Sequence, residues 1–189
     1  MAKTGNKKLR FPPRARIASA ASVLLACMTA STTLLAAQTV PPILQVPADN
    51  AVVWRAPATG TITYECSITR TDGVQPRWVA VKAEAVLGDG KGGNSGSYSS
   101  PPETWKASDG SALTGMVLVR ANVETDRLYD QLVLANPARG VGLLTGVTYI
   151  QRLVSSGGAA PQAERCTTAT VNQRVLVDYR AEYVFWKPQ

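Results

Sequence analysis

The chain has 189 residues and no histidine. Ser-His-Asp and Cys-His catalysis need an imidazole that titrates near neutral pH, and the usual zinc and copper sites use the same side chain, so these chemistries are excluded. The net charge of +7 does not mark a nucleic-acid binder: Lys3, Lys7, Lys8, Arg10, Arg14 and Arg16 all precede residue 17, and 20 less 6 leaves 14 basic against 13 acidic residues, so the remainder is nearly neutral.

Residues 1–16 form a basic segment, and residues 17–37 carry no charge and are rich in Ala, Leu, Ser and Thr. This is the layout of a secretory signal peptide over 1–37, with Ala37 supplying the small residue before cleavage. Leu24-Leu25-Ala26-Cys27 also resembles a bacterial lipobox, which would leave a lipidated Cys27 at the N-terminus. In a third reading the 21 uncharged residues stay uncleaved as an anchor. All three place the domain outside the cytoplasm, secreted, periplasmic or extracellular, or membrane-anchored as a lipoprotein. A membrane is a partner only if Cys27 is lipidated or the segment is uncleaved.

Residues 38–45 read as a proline-rich linker, and 46–189 as a single β domain, long enough for one core. A short strand is expected at 52–55. Residues 61–69 alternate with period two, placing Ile62, Tyr64, Cys66 and Ile68 on one face. Thr71-Asp72-Gly73 is a turn, 78–87 a strand, and 88–102 a Gly- and Ser-rich loop closed by two prolines. After a second turn at 108–111, strands are expected at 113–121 and 131–135. A longer strand comes next at 143–154, around which the chain is organised, with Gly142 and Gly146 marking a bulge or close backbone approach. Strands at 171–179 and 181–186 end the chain, after a short turn near 167–172. Many short strands between Gly, Asp and Pro turns predict an all-β fold, an antiparallel β-sandwich or flattened barrel.

Cys66 and Cys166 remain once the N-terminal segment is set aside. In an oxidising compartment they are expected to form one disulfide, the alternative being two buried thiols. With no CxxC and no histidine, a reactive-cysteine enzyme is not expected. The run from Gly88 to Gly93 matches GxGxxG after a strand, but the Ser- and Pro-rich sequence beyond it is no helix to hold a pyrophosphate, so a nucleotide partner is discarded. The same loop has only Asp89 as a good calcium ligand. No metal and no cofactor are implied.

The weak ligand-binding candidates are Tyr98, Trp105, Asp109, Tyr149 and Arg152. Aromatic rings offer flat apolar faces, and Trp54 and Tyr129 are further candidates. Arg152 binds an anion or pairs with a carboxylate such as Glu164 or Asp178. Asp109, before Gly110, is more simply a turn residue. Glu103, Asp109, Asp126 and Asp130 are the carboxylates from which a histidine-free hydrolase would draw its pair.

Tyr64-x-Cys66, Trp105 followed by Asp109-Gly110-Ser111, the run from Gly146 to Arg152 (GVTYIQR), Gly157-Gly158-x-Ala160-Pro161, Cys166 and Tyr183-x-Phe185 resemble one family, the domain of unknown function 3455 of secreted bacterial and fungal proteins. The resemblance runs from about Val46 to Trp186. It implies secretion and a paired Cys66 and Cys166, and it implies no activity.

The expected function is therefore a non-enzymatic secreted or envelope protein that binds an extracellular or envelope ligand through the loop region 98–111. The rivals are a two-carboxylate hydrolase acting on glycans and a purely structural surface protein.

Overall fold

A computed structural model describes residues 1–2, 40–68 and 75–189. Cys27, nearly all of the segment expected as a signal peptide, and the turn expected at 71–73 lie outside the described residues. The chain divides into two compact units, Met1–Ala37 and Gln38–Gln189, and every described strand lies in the second.

Eight strands close into one antiparallel barrel in sequence order: β1 (Asn50–Ile68), β2 (Pro76–Gly88), β3 (Asn94–Ser100), β4 (Thr104–Ala107), β5 (Ala112–Ala121), β6 (Asp130–Ala135), β7 (Tyr149–Gly157) and β8 (Arg174–Pro188), with β8 pairing back onto β1. Of the two architectures expected, the barrel is the one formed. The physical basis is the alternation along each strand, one face turned to the interior and the other outward. In β1, Ala56, Ala58, Ile62, Tyr64 and Cys66 are buried, and in β2, Ala83, Ala85 and Leu87 are.

Small residues from β1 and β2 face large ones from β4 and β8. Ala56, Ala58, Ala83 and Ala85 share the core with Trp105, Tyr179, Tyr183 and Phe185. This pairing of small with large suits the interior of a narrow barrel. Gly115 on β5 belongs to the same fit: a Cβ there would stand 2.5 Å from Val133 Cγ1 and 3.3 Å from Trp105.

Four expectations change. The strands expected at 52–55 and 61–69 are one strand, and so are those at 171–179 and 181–186. Pro57 looks like a break in the sequence, yet its side chain is exposed beside the inward Ala56 and Ala58 and pairing continues past it to Glu182. Residues 88–102, expected as a loop, contain β3. Besides Tyr98 its inward positions are the small Gly96 and Ser100, and at Gly96 the neighbours leave no room: a Cβ there would sit 2.4 Å from the Lys106 carbonyl. The strand expected from Leu143 begins at Tyr149, because 143–146 form a turn with Gly146 at φ +77°.

Within the segment expected as a linker, Pro42–Leu44 forms a 3-10 turn and Leu44 has no exposed surface. Gln151 Nε2 donates to the Leu44 carbonyl at 2.7 Å, and Trp186 Nε1 donates to Gln151 Oε1 at 2.9 Å.

Cys66 and Cys166 are bonded, with Cα atoms 5.3 Å apart. The bond fastens the segment after β7 to the end of β1. On that segment, Thr168–Thr170 is a 3-10 turn carrying a capping box with Thr167, in agreement with the short turn expected there.

Candidate functional site

Register brings the polar residues of the interior together. Across neighbouring strands, Arg120 lies opposite Gln131, Gln131 opposite Arg152, Arg152 opposite Tyr183, and Tyr183 opposite Ala56. Directly opposed residues project to the same side of a sheet. On β7, Arg152 has the same parity as the core residues Ile150 and Val154, so it points inward.

These residues meet at one end of the barrel, in a cavity of about 770 Å3. Tyr64, Tyr98, Glu103, Arg127, Gln131 and Arg152 contribute to its polar wall, and Ile62, Trp78 and Leu128 to its apolar wall. The volume lies in the range of small-molecule sites. Gly158 permits the close approach at the rim: it has φ +78°, and a Cβ there would stand 2.8 Å from Leu128 Cβ. Tyr64 Oη donates to the Gly158 carbonyl at 2.7 Å, and Trp78 Nε1 donates to the Gln162 carbonyl at 3.1 Å, so the segment fastened by the disulfide also forms part of the rim.

The wall holds buried polar atoms with no partner. Arg152 is 5% exposed and donates from Nη2 to the Tyr129 carbonyl at 3.0 Å. It makes no ion pair among the described residues, and its Nε is buried and unpartnered. Gln131 has no exposed surface, and both its Oε1 and Nε2 lack partners. Arg127 donates to the Val154 carbonyl at 2.6 Å and stands 3.6 Å from Glu124, but its Nε is unpartnered. Trp105 Nε1 is also unpartnered, but Trp105 is not part of the cavity wall. Buried polar groups are nearly always paired, so this cluster of unpartnered atoms sets the cavity wall apart from the rest of the interior.

The electrostatics agree. Burial works against the charge of Arg152, but Tyr183, Tyr98, Tyr179 and Glu103 outweigh it and raise its pKa, so the guanidinium stays charged. Burial raises the hydroxyl pKa values of Tyr64, Tyr98, Tyr179 and Tyr183, which keeps these phenols neutral at physiological pH. Glu103 accepts from Tyr98 Oη at 2.5 Å and from Ser100 Oγ at 3.3 Å, and it is the one carboxylate among the cavity residues. Arg120, Arg127 and Arg152 are also among the cavity residues, as is Lys82, which pairs with Glu84 at 2.8 Å.

The sequence-derived candidates separate into two groups. Tyr98 and Arg152 line the cavity. Trp105 lies deeper in the core, its ring centroid 5.3 Å from Tyr98 and 6.0 Å from Tyr183. The expectation that Tyr98 and Trp105 stand on an exposed loop is corrected: they sit on β3 and β4 at 2% and 0% exposure. Their large apolar rings fill the interior rather than a surface platform. Tyr149 is half-buried at the start of β7, opposite Leu134 and Trp186, and outside the cavity wall. Asp109 is an exposed turn residue: its carboxylate accepts from the Ser111 hydroxyl and from the Ser111 and Leu143 N–H groups, which hold its pKa below the usual range.

Arg152 does not pair with Glu164 or Asp178. Of the four carboxylates, only Glu103 faces the cavity; Asp126 is exposed, and Asp130 is buried with Oδ1 accepting from Val154 N–H at 2.6 Å. A pair of carboxylates is therefore not assembled in the cavity. No group of three or more His, Cys, Asp or Glu positioned to hold a metal ion occurs among the described residues, and no helix there is long and apolar enough to cross a membrane.

Gln131, Tyr64, Trp78 and Arg127 are cavity residues that the sequence does not single out for a site. For Gln131 a signal exists: it occupies the same parity as Val133 on an otherwise apolar strand, a polar side chain where the core is due.

The model of the family described as "Protein of unknown function (DUF3455)" matches residues 47–187. No curated protein and no solved structure matches the chain.

Proposed function

We propose, for a chain that belongs to this family of unknown function, a role as a ligand-binding barrel that holds a small organic anion in the cavity around Arg152. One observation carries the reading: a buried, charged arginine that makes no ion pair, in a cavity of ligand size. A buried charge without a direct ion pair is costly, and an anionic ligand would supply that pair. Trp78, Ile62 and Leu128 favour a ligand with an apolar body. The binding surface is the barrel interior, to which Tyr98 and Glu103 of the segment 98–111 contribute.

The domain acts outside the cytoplasm, secreted or held at the envelope. This is supported by the basic and then uncharged N-terminal segment and by the disulfide, a bond that persists in oxidising compartments.

Calorimetric titration with a panel of small organic carboxylates and phosphates tests the reading. The expected result is saturable binding of at least one anion, lost in Arg152→Gln while the variant's melting temperature holds. Absence of binding by every anion, or equal binding by the variant, overturns it.

A further inference from the structure

We infer that the ligand is a carboxylate carrying an N–H or O–H donor within two or three bonds of its carboxyl group. This rests on the reading above and deepens it.

Gln131 and Arg152 stand directly opposite each other on β6 and β7, at most 5% exposed, and both line the cavity. Between them they leave three buried atoms unfilled: Arg152 Nε, Gln131 Nε2 and Gln131 Oε1. The first two donate and the third accepts. Exchanging the oxygen and nitrogen of the Gln131 amide changes nothing in this count, because both atoms lack partners.

An ion that only accepts, such as sulfate or fully ionised phosphate, satisfies the two donors and leaves the Gln131 oxygen bare. An amine or alcohol without a negative charge leaves the arginine uncompensated. A carboxylate with a neighbouring donor fills all three. Its two coplanar oxygens suit the edge of a guanidinium, and its donor reaches the amide oxygen opposite. Opposed side chains on adjacent strands begin only about 5 Å apart, which sets the short separation between the two groups. The remainder of the molecule lies against Ile62, Trp78 and Leu128.

The test is a series of matched pairs titrated into the disulfide-bonded chain and followed by ligand-observed NMR and calorimetry. Each pair has the same carboxylate body with and without the adjacent donor, beginning with N-acetylphenylalanine and 3-phenylpropanoate; inorganic phosphate and sulfate complete the panel. The donor-bearing members are expected to bind about tenfold more tightly, the worth of one buried hydrogen bond. In Gln131→Met, a change of similar volume, that advantage disappears while carboxylate binding persists; in Arg152→Gln both members lose binding. Equal binding of paired members to the unaltered chain overturns this inference and leaves anion binding intact, as does tighter binding of phosphate or sulfate than of every carboxylate. Failure of every anion to bind overturns both. Persistence of the advantage in Gln131→Met shows that the donor is read elsewhere and overturns the assignment to Gln131.

Discussion

The two ends of the barrel interior are built from the same strands and do opposite things. At the closed end, Trp54 stacks on Phe185 at 4.5 Å, and Trp105 packs with Leu113, Leu144 and Ile150, all buried. At the open end, the next inward positions of β6, β7 and β1 carry Gln131, Arg152 and Tyr64, around a cavity. Moving two residues along β7, from Ile150 to Arg152, exchanges a core side chain for a site side chain without changing the backbone. Large aromatic side chains gather at one end, and most of the unpartnered polar atoms at the other.

Substitutions at three positions sharpen or break that contrast. Trp105→Ala at the closed end removes a fully buried indole, and the expected loss in chemical denaturation is about 3–5 kcal/mol. A loss near zero would mean that the closed end is not the stabilising one.

Asp130, buried at the start of β6, belongs to neither cavity nor aromatic cluster. Asp130→Ala strands the Val154 N–H, with an expected cost of about 1–3 kcal/mol. The pH dependence has a definite sign. Burial raises the pKa of Asp130 against the lowering effects of the Val154 N–H, Arg127 and Arg152. The folded state therefore holds the proton more tightly than the unfolded one. That contribution is complete below the unfolded carboxyl's ordinary value and is lost as pH rises through the folded one. Asp130→Asn cannot ionise, so its stability relative to the parent should improve as pH rises through that window; an unchanged difference across the window would refute the assignment.

Arg152→Met at the open end has the smallest expected effect on stability. Replacing a buried charge that makes no direct ion pair with an apolar chain of similar length is expected to leave the melting temperature unchanged or raise it, while anion binding disappears. A destabilisation as large as that of Trp105→Ala would make Arg152 a structural residue and erase the distinction between the two ends.

The legibility of this arrangement in the sequence tracks the side chains. The alternation through Ile62, Tyr64 and Cys66 is readable because one face is apolar and the other polar. β3 is not, because its inward positions at Gly96 and Ser100 are small and only Tyr98 announces a face. Tyr98 and Arg152 are identifiable in the sequence as candidate residues, but their surroundings are not: an arginine between Ile150 and Val154 reads equally as a surface charge until the register of β6 and β8 is known. Gln131 is legible as a polar residue at an inward position, but its place opposite Arg152 is known only from the pairing. Whether Arg152 has a carboxylate partner is a question of distance between strands far apart in sequence, which periodicity does not encode.

β1 is the longest strand, and it is hydrogen-bonded along one side to β2 and along the other to β8, from Asn50 opposite Pro188 to Glu65 opposite Arg174. The consequence concerns the order of assembly. As the chain is synthesised, β1 finds β2 early, but its other edge has no partner until the last residues emerge. Every intermediate short of the full chain therefore carries an open edge on its longest strand, a template for pairing with another copy. Closure joins the most distant parts of the sequence, so it is slow by topology. The finished barrel has no edge to offer, and the hazard of aggregation is confined to the interval before the eighth strand arrives.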